Sequence, residues 1–223
     1  MPSKNSIKLY VENGYYHVYN RGVEKRTIFQ DDQDYQVFLS YLKECLLPIT
    51  KITGKKPQGG SLRLQPWEIK RKKNYSDSIQ LLAYALMPNH FHLLIKQKSK
   101  TSMESFMRSL MTKYSMYFNK KYIRVGKLFQ GHYKAAIIET DEYLLYVSKY
   151  IHLNPLEINN SIVKAYSSYA DYLGLRNTKW ISKEEILNYF PNNRLVEYIN
   201  SYQKFVEQNN DEYKEIKHLT LDS

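Results

Sequence analysis

Sulfur ligands are almost missing from this sequence, which contains a single cysteine, Cys45. One cysteine excludes an intrachain disulfide framework and any metal site built from several thiolates. Zinc fingers and zinc-dependent deaminases need more sulfur ligands than this, so both classes are excluded as well. Such sparing use of cysteine is typical of a reducing compartment.

The chain also lacks long hydrophobic runs. A membrane-spanning helix needs about 18 or more consecutive apolar residues, and no stretch of that kind occurs. Nor does the chain begin with a basic segment followed by an apolar one, the pattern of a secretory signal. A hydrophobic fraction of 43% with 14% aromatic residues nevertheless predicts a folded core. We therefore expect a soluble, cytoplasmic protein without a membrane partner.

Positive charge is the most prominent property of the composition. Lysine and arginine number 33 against 22 acidic residues, which gives a formal net charge of +11. A polyanion that binds such a surface gains free energy from the release of its counterions. The 22 tyrosines also offer rings on which unpaired bases can stack. Composition thus favours a nucleic-acid partner over the plainer explanation that the charge serves solubility alone.

Hydrophobic periodicity predicts the element order β-α-β-β-α-β-α. The expected strands are 15–20, 79–86, 90–96 and 133–139, and the expected helices are 34–47, 101–121 and 141–153. The third helix is expected to end before Pro155. Thr101 and Glu104 suggest a capping box at the start of the second helix. This order predicts an α+β fold, a ferredoxin-like four-stranded antiparallel sheet with helices packed on one face.

Two segments differ in character from this core. Residues 49–78 contain eight Lys or Arg against two acids, together with several Gly and Pro residues, and are expected to form a basic loop insert. Residues 159–223 are polar and predict a mostly helical C-terminal extension. The expected domains are therefore 1–158, including the insert, and 159–223.

The apolar stretch AYALMPNHFHLLIK holds two of the six histidines. In a strand, residues i and i+2 point to one face, so His90 and His92 project together while Phe91 enters the opposite layer. Two neighbouring imidazoles can share a divalent ion. Taken alone, the short HxH motif slightly favours a hydrogen-bonded structural pair over a metal site. Because no HxHxDH run follows, the common binuclear zinc hydrolases are disfavoured.

A second candidate lies in YLLYVSKYIHLNP. At helical spacing Tyr143, Tyr146, Tyr150 and Asn154 share one stripe, and Tyr150 and Asn154 lie one turn apart. A phenol beside an amide oxygen, placed against a metal-binding HxH pair, would make a phosphoryl-transfer site. Spacing alone does not separate Tyr146 from Tyr150. An aromatic stripe that only packs on the sheet is the alternative, and Pro155 places Asn154 at a frayed helix end.

Five blocks of the sequence, in this order, resemble the single-tyrosine HUH transposases of the IS200-like family, and most closely their REP-associated tyrosine transposase branch. They span about residues 10 to 175 and read YYHVYNRGVEKRTIFQDDQDY, ALMPNHFHLL, GKLFQGHYKAAII, YLLYVSKYIHLNPL and AYSSYADYLG. The resemblance implies the HUH endonuclease fold, with His90, His92 and Asn154 as ligands of Mg²⁺ or Mn²⁺. It implies Tyr150 as the nucleophile.

The same resemblance implies a substrate and a reaction. The substrate would be single-stranded DNA with hairpin or palindromic elements, and the reaction would pass through a covalent 5′-phosphotyrosine intermediate that releases a 3′-hydroxyl. A nucleoid-associated location follows from such a substrate. One departure is visible at His132 and Tyr133, where relatives commonly show an arginine followed by an aromatic residue, so a DNA contact at His132 is not carried over.

Other basic and polar residues are candidates for nucleic-acid binding. Arg21 is either a phosphate contact or a charge that caps a turn, and Lys127, Gln130 and Lys134 either line a DNA groove or form a solvated basic edge. His17 is expected to pack in the first strand.

Two alternative functions remain beside DNA nicking and strand transfer. One is a non-catalytic, domesticated DNA- or RNA-hairpin-binding protein, and the other is a zinc phosphoesterase that uses water. The sequence also leaves open whether the chain acts alone or as a homodimer that exchanges the tyrosine helix.

Overall fold

The computed structural model describes residues 9–48, 73–157, 161–190 and 195–208. Its strands are β1 Tyr15–Arg21, β2 Ile79–Met87, β3 His90–Gln97 and β4 Lys134–Ile138. Its helices are α1 Asp32–Leu46, α2 Ser102–Lys121, α3 Asp141–Leu153, α4 Tyr169–Tyr172, α5 Glu184–Leu187 and α6 Leu195–Glu207. Most of the predicted insert at 49–78 lies outside the described residues.

The strands form one antiparallel sheet in the order β2-β3-β1-β4. This is the order that a β-α-β-β-α-β chain adopts in a ferredoxin-like fold, so the predicted fold class is confirmed. The tight turn after Met87 joins β2 to β3 through Pro88 and Asn89. A register shift between Leu81 and Ala83 marks a bulge in β2, and the consecutive residues Leu82 and Ala83 consequently enter the same core.

One face of the sheet is covered by α1 and α2. Phe91, Leu93 and Ile95 from β3 enter this layer, because alternate residues of a strand share a face. Phe38 of α1 lies 5.3 Å from Phe91 between ring centroids. Tyr114 of α2 packs edge-on against Phe38, so aromatic rings join both helices to the sheet.

The opposite face is covered by α3 and by the helices that follow it. Leu94 and Ala85 of the sheet share a second core with Val147 and Ile151 of α3. This differs from the expectation of helices on one face only. The physical reason is that both faces of the sheet are apolar, and an apolar face must be buried by a further layer. The tyrosine helix therefore packs on the face to which His90 and His92 point.

Helix ends follow partly from local sequence. Thr140 accepts a hydrogen bond from the backbone nitrogen of Tyr143 at 3.2 Å and so begins α3. At α2 the predicted capping box is wrong, because Thr101 makes no side-chain cap. Instead Gln97, at the end of β3, accepts from the backbone nitrogen of Met103 at 3.2 Å. A tertiary contact thus replaces the local one.

Asn154 is ordered rather than frayed. Its backbone has helical dihedral angles, its N–H donates to the Tyr150 carbonyl, and a 3₁₀ turn continues from Asn154 to Glu157. Its side chain is only 1% exposed. Over the described parts of the chain, no helix combines the length and apolarity that crossing a bilayer requires.

Candidate active site

The register of the sheet places the two histidines beside the end of β1. His92 lies opposite Tyr19, and His90 lies opposite Arg21. Directly paired residues of antiparallel strands project to the same face. The histidines, Tyr19 and Arg21 therefore share the face that α3 covers.

Each histidine of the pair is held through its Nδ1 atom. Nδ1 of His90 lies 2.6 Å from the amide oxygen of Asn89, and Nδ1 of His92 lies 2.9 Å from Nε2 of His17. The two rings are perpendicular, with centroids 5.0 Å apart. Since an amide oxygen only accepts, Nδ1 of His90 carries the proton, and its Nε2 keeps the lone pair that a metal needs.

Burial keeps the neighbouring imidazoles neutral. His17 and His92 are fully buried. Burial lowers the pKa of His17 to about 3. The pKa of His92 lies well below its ordinary value because of burial first, and then because of the nearby His90 and His17. A neutral imidazole offers a lone pair at neutral pH, which is the form that binds metals.

Tyr150 of α3 lies directly against these histidines. Its ring centroid is 5.5 Å from that of His92 at an interplanar angle of 88°, and 5.7 Å from that of His17. Its side chain is fully buried. Tyr146, which spacing could not distinguish from it, instead has its ring 6.5 Å from Phe205 of α6. The tertiary structure thus brings Tyr150, and not Tyr146, to the histidine pair.

The side-chain amide of Asn154 offers an oxygen of the kind that divalent metals bind. Neither its amide oxygen nor its amide nitrogen has a hydrogen-bond partner among the described residues, and the same holds for Nε2 of His92. Buried polar atoms of this kind need an explanation, and coordination of an ion is one. Within the described ranges no three His, Cys, Asp or Glu side chains cluster as a metal site. The amide of Asn154 is therefore a candidate for a further ligand beside the two histidines.

The predicted nucleic-acid contacts fall at the same end of the sheet. Nε of Arg21 donates to the side-chain oxygen of Gln130 at 2.5 Å, and the ammonium of Lys134 lies 5.8 Å from the Tyr19 ring centroid. Lys127 is exposed on the segment that precedes β4, and so is His132. Arg21, Gln130 and Lys134 therefore border the histidine site, while Lys127 extends the basic surface.

Sequence reasoning assigned His17 to packing, whereas the structure places it in contact with His92. The available signal was the alternation of YYHVYN, which puts His17 and Tyr19 on one face of β1. The pairing of β1 with β3, which the local pattern does not contain, was needed to join that face to the HFH motif.

The fold has a counterpart among solved structures. A REP-associated tyrosine transposase bound to a REP hairpin superposes with a TM-score of 0.51 at 13% identity, over 75% of this chain and 84% of that one. A crystal structure from Deinococcus radiodurans, of a protein assigned as a transposase, matches with a TM-score of 0.36 at 13% identity, over 68% and 95% of the two chains. Among curated proteins, none matches.

The sheet, its helices and the first of these likenesses define a fold of the tyrosine transposase type. The sequence model described as "Transposase IS200 like" matches residues 10–154, which is most of the chain. The chain belongs to the IS200-like transposase family. It is therefore a transposase by family, a class of enzyme that processes DNA.

Proposed function

We propose that the chain is a metal-dependent nickase and strand transferase that acts on single-stranded DNA carrying hairpins. The observation that carries the proposal is the packing of Tyr150 against His92, with Asn154 one helical turn after Tyr150, directly at the end of α3. His90, His92 and Asn154 would hold Mg²⁺ or Mn²⁺. When bound, such an ion withdraws charge from a scissile phosphate.

Tyr150 is the nucleophile in this proposal. Its phenolic oxygen attacks phosphorus in line and gives up its proton, the bond from phosphorus to the 3′-oxygen breaks, and that oxygen leaves as a 3′-hydroxyl after taking up a proton. The product is a 5′-phosphotyrosine, which stores the energy of the cleaved bond for rejoining. Attack by a second 3′-hydroxyl reverses the step and joins a different strand.

Basic and polar side chains around the site would hold the DNA. Arg21, Gln130 and Lys134 border the histidines, and Lys127 adds charge nearby. The solved relative with the same fold binds a REP hairpin, which supports a hairpin substrate for this chain. A chain with this charge and substrate would associate with the nucleoid.

The nucleophile is proposed to act within its own chain. Tyr150 contacts His17 and His92 of the same polypeptide, so no exchange of α3 with a homodimer partner is needed to assemble the site. We also propose that residues 1–158 form the catalytic domain and residues 159–223 an extension that supports α3.

The burial of the candidate site favours a second candidate function. Tyr150 and His92 are fully buried, so a phosphate reaches them only if the residues that cover them move. A protein in which they never move would bind hairpins without cutting them. This is the non-catalytic alternative, and it predicts binding that needs no metal and gives no covalent product.

A covalent-adduct assay separates these functions. Oligonucleotides labelled at the 3′ end, with a hairpin and randomised flanks, are incubated with the full chain and Mn²⁺ and resolved on denaturing gels. Labelled protein is expected for the wild type and for Tyr146→Phe, the matched control, but not for Tyr150→Phe. An adduct with Tyr150→Phe would show that the nucleophile is a different residue. Hydrolysis that survives this change would favour a water-using phosphoesterase.

A further inference from the structure

His17 lies far from the HFH motif in sequence, but its side chain is hydrogen-bonded to His92 of that motif. Its Nε2 atom is 2.9 Å from Nδ1 of His92. The two rings are nearly parallel, at 25°, with centroids 5.1 Å apart. Both side chains are fully buried, so water does not compete for this hydrogen bond.

Only one proton can lie between these two nitrogen atoms. If Nδ1 of His92 donates, Nε2 of His92 keeps its lone pair. If Nε2 of His17 donates, a neutral His92 carries its proton on Nε2 and cannot ligate a metal there. The partner on the Nδ1 side of His92 therefore decides whether this imidazole is a ligand.

His90 shows the arrangement that a ligand requires. Its Nδ1 faces the amide oxygen of Asn89, which can only accept. Both imidazoles of the pair are thus held by the same nitrogen, one by an amide oxygen and the other by His17. In metal sites, a bond of this kind fixes the tautomer and the ring orientation of the ligating histidine.

We propose that His17 is a positioning residue for His92. His17 accepts the Nδ1 proton of His92 and so leaves the lone pair on Nε2 of His92, where a metal can be bound. This inference depends on the proposed function, since it concerns the same metal site. A packing role would need only the volume of the ring, whereas this role needs a hydrogen-bond acceptor at the position of Nε2.

Two substitutions separate volume from hydrogen bonding. His17→Phe keeps a planar ring but has no acceptor, while the side-chain oxygen of His17→Gln can accept at about the position of Nε2. Mn²⁺ affinity, measured by calorimetry on the full chain, is expected to fall about 10- to 100-fold in His17→Phe. His17→Gln is expected to restore most of it. Circular dichroism and thermal unfolding show whether each variant is folded.

Nitrogen NMR provides a test that needs neither metal nor activity. In the wild-type chain labelled with ¹⁵N-histidine, two-bond couplings are expected to show His92 protonated on Nδ1. Protonation on Nε2 would overturn the inference even if His17→Phe failed to fold. Equal Mn²⁺ affinity in the wild type and a folded His17→Phe would overturn it as well. A wild type that binds no Mn²⁺ and forms no adduct would instead overturn the proposed function.

Discussion

Nδ1 of His152 lies 2.8 Å from the hydroxyl oxygen of Tyr202, and both side chains are fully buried. His152 follows Tyr150 by two residues on α3, whereas Tyr202 belongs to α6. On the other side of its ring, Nε2 of His152 lies 2.7 Å from Oγ of Ser168. A further hydrogen bond holds α3 at the end of α6, because Lys149 donates to the carbonyl of Gln208, the residue after α6, at 2.7 Å. Residues beyond the family match thus hold the helix that carries Tyr150.

Removing the Tyr202 hydroxyl should therefore destabilise the protein. Tyr202→Phe leaves a buried nitrogen of His152 without this partner, and we expect the free energy of unfolding to fall by about 1–3 kcal/mol. Urea denaturation measures the change. Tyr146→Phe is the matched control on α3, with an expected change within about 0.5 kcal/mol. Equal stabilities of the two variants would show that the bond to α6 contributes nothing.

Asn154 is expected to favour function at the expense of stability. Asn154→Ala removes two buried polar atoms that have no hydrogen-bond partner among the described residues. Without metal, the free energy of unfolding of the variant should equal that of the wild type or exceed it by up to about 1–3 kcal/mol. Its Mn²⁺ affinity should fall about tenfold or more. Calorimetry with Mn²⁺ and urea denaturation with a chelator give the two values. Lower metal-free stability with unchanged Mn²⁺ affinity would contradict a ligand role.

The basic residues beside the histidines should bind phosphates. Arg21→Ala and Lys134→Ala are each expected to weaken binding of a hairpin oligonucleotide. They should also reduce the slope of log affinity against log salt by about 0.7 for each lost contact to a single strand. Fluorescence anisotropy over a range of salt concentrations measures both effects.

Lys179→Ala is the control for a general loss of charge. Lys179 is exposed near the bridge between Leu81 and Ile181, at the opposite end of β2 from the histidines. If this variant weakened binding as much as Lys134→Ala, the DNA would be bound by net charge and not by the surface beside the site.

Acid stability should depend on Asp34 of α1, which is fully buried. Its carboxylate accepts hydrogen bonds from the Gln30 backbone and from Tyr117, Lys121 and Tyr122, at 2.8–2.9 Å. Burial by itself would raise the pKa of Asp34, but these donors, Lys121 foremost, hold it below its ordinary value of 3.8. A lowered pKa stabilises the fold above the ordinary value, and this contribution is lost as the pH falls through the lowered one.

Asp34→Asn should accordingly be less stable than the wild type at pH 7, by about 1–3 kcal/mol, and this difference should shrink as the pH falls below 3.8. Urea denaturation between pH 3 and about pH 8 follows the trend. Asp77→Asn, at an exposed turn, should give a curve parallel to that of the wild type. A difference at Asp34 that stayed constant with pH would rule out the carboxylate charge as its source.

Local geometry made much of the site predictable. In β3, period-2 alternation is a property of the backbone, so His90 and His92 had to share a face with Phe91 opposite. The bounds of α3 are confirmed at Asp141–Leu153, because Thr140 caps one end and Pro155 limits the other. The assignment of Tyr150 and Asn154 as nucleophile and ligand stays a prediction, as does that of the basic DNA contacts.

The sequence by itself determined the fold class, the positive charge and the two segments that supply the candidate site, because strand alternation, helical spacing and charge are local or additive properties. Only the tertiary structure decided which tyrosine meets the histidines. It also decided that α3 covers the second face of the sheet, and that Gln97 caps α2 in place of Thr101. The hydrogen bond between His17 and His92 was likewise decided by the tertiary structure. Each of these depends on the pairing or packing of elements distant in sequence, and no local pattern encodes that pairing.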